Sequence, residues 1–209
     1  MKGKTILPII LMLLLALTRW PGLMPQNFSA VYAIMFCAGV YFPRRLVWWL
    51  PFLTLALTDL LLNLYYHAHY GSPIFSPELL GNYLAYAAIV WLGRQFNHRS
   101  NFFALLAGGL LGAIIFYLIT NTISWFLNPF NNPEYTKTLG GWILALTKGT
   151  QGWPETWQFF RNTFTSSGLF TALFAGAMKL MEATEPEPQE EKEPEEKPQD
   201  QPQPEEAKA

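Results

Sequence analysis

Six apolar runs occupy most of the first 180 residues: 5–17, 28–42, 47–64, 79–92, 102–120 and 157–180. The fifth, FFALLAGGLLGAIIFYLIT, has no polar face. A helix of a soluble bundle needs one, whereas a helix surrounded by lipid does not. Crossing a bilayer takes about 20 residues at about 1.5 Å of rise each. The third, fifth and sixth runs meet that length once a residue or two is added at each end. The second and fourth are short. They span only where neighbours shield them, where they extend into flanking polar residues, or where the bilayer thins. A re-entrant pair buried in protein is the alternative. The pattern predicts an all-α, polytopic membrane bundle of six transmembrane helices.

A mean hydropathy of +0.15 hides two unlike pieces. Residues 182–209 hold ten Glu, one Asp, three Lys and six Pro, a formal charge of −8. That segment has too little apolar surface to offset its ordering entropy, so it is predicted to be a disordered Glu/Pro-rich tail. Residues 1–181, the predicted transmembrane domain, carry 11 basic and 4 acidic groups, a charge of +7. Soluble domains are about one-quarter charged, and this body falls well below that.

Charge also gives the runs a direction. Lys2 and Lys4, Arg44 and Arg45, Arg94 and Arg99, and Lys179 fall on one side of the six crossings. Arg19, Glu78, Glu134, Lys137, Lys148, Glu155 and Arg161 fall on the other. The purely basic short loops mark the cytoplasmic side, which places both termini in the cytoplasm. The start, MKGKTILPIILMLLLALTRW, resembles a secretory signal. It lacks a small-x-small cleavage site, and a retained first helix is expected.

In this topology Asp59 lies inside the third helix, about 9 Å short of its outer end. A carboxylate in hydrocarbon is expensive, about 2.5–3.5 kcal/mol on insertion scales, so Asp59 must face the bundle interior, water or a partner. Asn63 shares its face, with Thr58 adjoining. Asn27 precedes the second helix, Asn82 begins the fourth, Asn121 beside Thr120 closes the fifth, and Arg161 with Asn162 opens the sixth. These residues form the predicted substrate-binding set: Asn27, Asp59, Asn63, Asn82, Asn121, Arg161 and Asn162. Amides donate and accept without charge, which suits a small polar solute or the tying of helix ends. The expected partner of Asp59 is Arg161, Asn82 or Asn121.

His67 and His69 fall in a Tyr-rich connection with no nearby carboxylate or cysteine, and interface histidines are expected rather than a metal site. Trp20, Trp48, Trp49 and Trp91 suit membrane-interface anchoring. The stretch NPFNNPEYTKTLGGW and the following GTQGWPETW are turn chemistry, a long outer connection able to act as a lid. Gly108, Gly109, Gly112, Gly168, Ala172, Ala175 and Gly176 put small residues on helix faces for close packing. Cys37 stands alone. With no nucleotide loop, zincin helix or nucleophile elbow, the expectation is a non-enzyme with no catalytic residues, no cofactor, no metal and no nucleic-acid partner.

The segments QNFSAVYAIMFCAGVYFPRR, LPFLTLALTDLLLNLYY, GNYLAYAAIVWLGR, FYLITNTISWF and TKTLGGWILALTKG resemble a family of small bacterial six-helix membrane proteins, DUF6580. That family in turn is similar, by fold and size, to the substrate-binding S components of energy-coupling factor transporters. The resemblance implies recurrent polar positions at Asn27, Asp59, Asn82, Asn121, Lys137, Arg161 and Asn162. It also implies an outward-facing pocket and an energising membrane module as partner. S components usually present an Ala-x-x-x-Ala face on the first helix, where this chain has Ala16 alone in ILPIILMLLLALTRW. The function expected is binding, and transport, of a small polar or vitamin-like solute across the bacterial cytoplasmic membrane. The second expectation is a non-catalytic structural or accessory subunit of a larger membrane complex.

Overall fold

The computed structural model describes residues 3–184. They form seven helices, with no strand among them: α1 (Gly3–Thr18), α2 (Val31–Tyr41), α3 (Leu46–Tyr70), α4 (Glu78–Gly93), α5 (Phe102–Leu127), α6 (Leu139–Thr147) and α7 (Thr156–Thr184). Six of the seven overlie the six apolar runs. By length and composition, α3 and α5 are long and apolar enough to cross a membrane. The tail expected over 182–209 begins inside α7, which continues to Thr184; the rest of it lies outside the described residues.

The shortest of the overlying helices is the centre of the molecule. α2 packs against α1, α3, α4, α5 and α7, and residues 31–39 are all buried. A helix with neighbours on every side needs no polar stripe, which accounts for the unbroken apolar sequence VYAIMFCAGVY. Close approach explains the glycines. A methyl on Gly39 would sit 2.5 Å from the Val90 carbonyl oxygen and 2.9 Å from the Gly93 Cα, so α2 and α4 touch backbone to backbone. On α5, Gly108 lies under the Phe36 ring, Gly109 against Thr171 of α7, and Gly112 against Ile89 of α4. Ser167 Oγ donates to the Gly109 carbonyl at 2.7 Å, fastening α7 along the same groove. The small residues at 108, 109 and 112 do what close helix packing requires.

α3 lies at the edge, against α1 and α2. Its buried positions, Val47, Pro51, Leu55 and Asp59, recur every four residues and form one stripe. Leu53, Leu57 and Leu61, on another face, are each more than half exposed. α3 also runs further than expected, to Tyr70, where Gly71 at φ 67° closes it. His67 and His69 are therefore on the last turns of α3 and not in a connection. Their Nδ1 atoms each bond a backbone carbonyl at 2.8 Å, Ser72 and Tyr65 respectively.

Two further boundaries differ from the sequence reading. α5 continues seven residues past Thr120, so Asn121 lies within the helix, its Nδ2 donating to the Tyr117 carbonyl at 2.9 Å. The connection read as turn chemistry contains α6. Thr138 caps it by accepting from the Gly141 N–H at 3.2 Å, and the apolar WILALT packs on α5 and α7. Tyr117 Oη donates to the Leu146 carbonyl and Trp142 Nε1 to Thr122 Oγ1 at 2.9 Å, fixing α6 across α5. Nine residues are too few for a crossing, and the flanking Pro, Asn and Gly residues dominate the local pattern.

Candidate functional site

Asp59 is 7% exposed and faces the interior. Its Oδ1 accepts from Arg19 Nη2, immediately after α1, and its Oδ2 from Tyr83 Oη of α4 at 2.8 Å. Arg19 Nη1 donates to Thr58 Oγ1 at 2.9 Å. A buried carboxylate bound at both oxygens, one of them by a guanidinium, is satisfied, and it joins three elements at one point. The interior placement agrees with the energetic argument from sequence. The expected partners do not hold. Arg161 is exposed, with its guanidinium over the Trp157 ring at 5.7 Å, and neither Asn82 nor Asn121 contacts Asp59. Arg19 was legible only as an outer-loop charge, and Tyr83 only as an aromatic beside Asn82. The missing information was which helices touch: α1 packs on α3.

Next to this pair lies a chamber of about 480 Å³. The end of α1, the start of α2, the last turns of α3, the start of α4, the later turns of α5 and the start of α7 all contribute to its wall. Arg19 lines it, whereas Asp59 is tucked behind. Three of the seven predicted binding residues, Asn27, Asn82 and Asn121, are on the wall; Asp59, Asn63, Arg161 and Asn162 are not. Asn162 has a different task, its Nδ2 donating to the Gln26 carbonyl at 2.9 Å and holding α7 to the 19–30 connection. Asn63 lies one turn beyond Asp59, partly exposed.

The chamber floor is aromatic. Tyr32 and Tyr86 are buried, with the Phe116 ring 4.8 Å from the first and 5.0 Å from the second, centroid to centroid. Its rim is clamped: the Ala30 N–H donates to Thr18 Oγ1 at 3.1 Å, and Thr18 and Ser29 hydroxyls are 3.2 Å apart. Asn27 holds a left-handed turn at φ 59°, which asparagine tolerates better than most residues.

A second cavity of about 620 Å³ adjoins the chamber, sharing Asn121, Ser124, Thr156 and Phe159 with it. The 128–156 connection covers it through Phe130, Asn132, Tyr135 and Trp153. Glu78 accepts from Ser124 Oγ at 3.0 Å on its wall. Burial, and then the Glu78 and Glu134 carboxylates, push the Tyr135 phenol up from its usual range. The connection is held in place at several points. Lys137 Nζ donates to the Trp125 and Phe126 carbonyls at the end of α5 and lies 5.2 Å over the Trp125 ring. Glu134 Oε1 accepts from the Gln151 N–H at 3.2 Å.

At the opposite end of the bundle Arg94 does structural work. Arg94 Nη1 donates to the Gly39 and Phe42 carbonyls at 3.4 and 3.3 Å, a cation at the C-terminus of α2. Neither a curated protein nor a solved structure matches the chain. Over residues 1–189, which include all seven helices and both cavities, the chain matches a family of unknown function, DUF6580, and it belongs to that family.

Proposed function

We propose that this chain is a polytopic protein of the bacterial cytoplasmic membrane that takes a small polar solute from outside into the chamber beside Arg19. In this reading α1 to α5 and α7 are six crossings, both termini are cytoplasmic, and α6 lies over the outer surface. The outward apolar faces of α1 and α3, with Leu13, Leu17, Leu53 and Leu57 each more than half exposed, suit contact with lipid. The short α2 needs no lipid contact, because protein surrounds it.

The chamber carries the functional reading. Its volume of about 480 Å³ is in the range of small-molecule sites, and it combines an aromatic floor with a few convergent polar groups. The helix ends that form it are those the charge pattern assigns to the outside. This arrangement favours a binding or transport role like that of an energy-coupling factor S component, with an energising membrane module as its partner. Native mass spectrometry of the full chain, purified in mild detergent from its own membrane, tests the reading. A bound small molecule is expected, at one per chain, and lost when Tyr86→Ala opens the floor. Bare protein in every preparation would overturn it.

A further inference from the structure

The charges around the chamber are matched before any solute arrives. Among its described lining residues Arg19 alone carries a formal charge, and Asp59 neutralises it from behind the wall. An anionic solute would place a second negative charge against a guanidinium already paired, and a cationic one would face that guanidinium directly. Either leaves an uncompensated charge beside a largely buried ion pair. The guanidinium has five N–H donors, of which one goes to Asp59 and one to Thr58. The other three have no hydrogen-bond partner among the described residues, and a solute carbonyl can supply one. Gln26, Asn27, Asn82 and Asn121 add donors and acceptors without charge, above the Tyr32, Tyr86 and Phe116 rings.

Building on the chamber as a solute site, we infer that the solute it selects has no net charge: a planar ring bearing a carboxamide- or lactam-type group. Arg19 donates to its carbonyl, the amides read its remaining edge, and the aromatic floor takes its face. Asp59 is a positioning residue. It orients the guanidinium and sets the chamber's charge preference without touching the solute.

Benzamide and benzoate have nearly one shape, benzylamine shares their ring with a short cationic arm, and the three differ in charge at pH 7, so they separate the cases. Binding to the detergent-purified full chain is followed by saturation-transfer NMR and titration. Benzamide is expected to bind at least about tenfold more tightly than either ion. Asn82→Leu, which removes an amide from the wall, should weaken benzamide. Asp59→Asn keeps a carbonyl acceptor but leaves Arg19 unmatched, so benzoate should overtake benzamide. Arg19→Gln combined with Asp59→Asn restores neutrality and should restore the preference for benzamide. That pair of changes decides the matter even where Asp59→Asn alone fails to fold. A wild-type preference for benzoate or benzylamine, or equal binding of all three, overturns the inference while leaving the chamber a binding site. Binding of none of the three counts against the chamber as a site for such small solutes.

Discussion

At the residue scale, the Arg19–Asp59–Tyr83 cluster ties three elements together at one buried carboxylate. Removing one member of a buried ion pair strands the other, at a cost of about 3–5 kcal/mol. Asp59→Ala should therefore destabilise the purified protein by roughly that amount. Tyr83→Phe, which removes one hydrogen bond to the carboxylate, should cost about 1.5–3 kcal/mol. Arg161→Ala removes only an exposed stacking contact and should stay within about 0.5 kcal/mol. Denaturant unfolding in micelles measures all three. An Arg161→Ala loss matching that of Asp59→Ala would reject the pair seen here. That Asp59 needed a partner could be read from its sequence neighbours, since a carboxylate at that depth is expensive unpaired. Which donor answered could not, because residues 19 and 59 are brought together only by the packing of α1 on α3.

Between elements, glycines decide how closely helices approach, and the Gly39–Gly93 contact tests this backbone against backbone. Gly39→Ala drives a methyl into backbone atoms of α4 that have no rotamer to change. Overpacking of this kind costs about 1–3 kcal/mol, and a lower melting temperature is expected. Gly176→Ala is the control: its new methyl meets only the Phe102 ring edge at 3.9 Å, so stability should be unchanged or slightly higher. Equal losses for the two variants would show that contact with the α4 backbone is not what limits position 39, since the gain in helix propensity from Gly to Ala is common to both. α6 offers a second measurement. Thr138→Ala removes the cap of α6, and hydrogen exchange over 139–147 should quicken while that of α5 is unchanged. The long apolar runs made six helices legible because length and composition are local properties. α6 was hidden because its nine residues sit between Asn/Pro-rich and Gly-rich turns. The chamber was half legible: of the helix-end amides, Asn27, Asn82 and Asn121 do line it, while the identity of its cation depended on tertiary contact.

For the whole molecule, orientation in the bilayer is the claim on which the solute's route depends. Arg44, Arg45, Arg94 and Arg99 lie at the end of the bundle opposite the chamber. Short basic loops are retained in the cytoplasm, so the chamber faces outward under that rule. Single cysteines introduced in place of Gly71 and Thr147, added to intact cells with a membrane-impermeant maleimide, should label. Those in place of Arg45, Gln95 and Ala183 should label only after the cells are opened. The native Cys37 is buried in α2 and should contribute little background. Labelling of position 45 but not 71 in intact cells would invert the molecule and turn the chamber toward the cytoplasm, making it a site for an internal solute. Protection of all five positions until lysis would remove the protein from the membrane surface and sink the six-crossing reading. The expected split, 71 and 147 open and the other three shielded, puts on the outer side both the chamber beside Arg19 and the second cavity that adjoins it at Asn121 and Ser124.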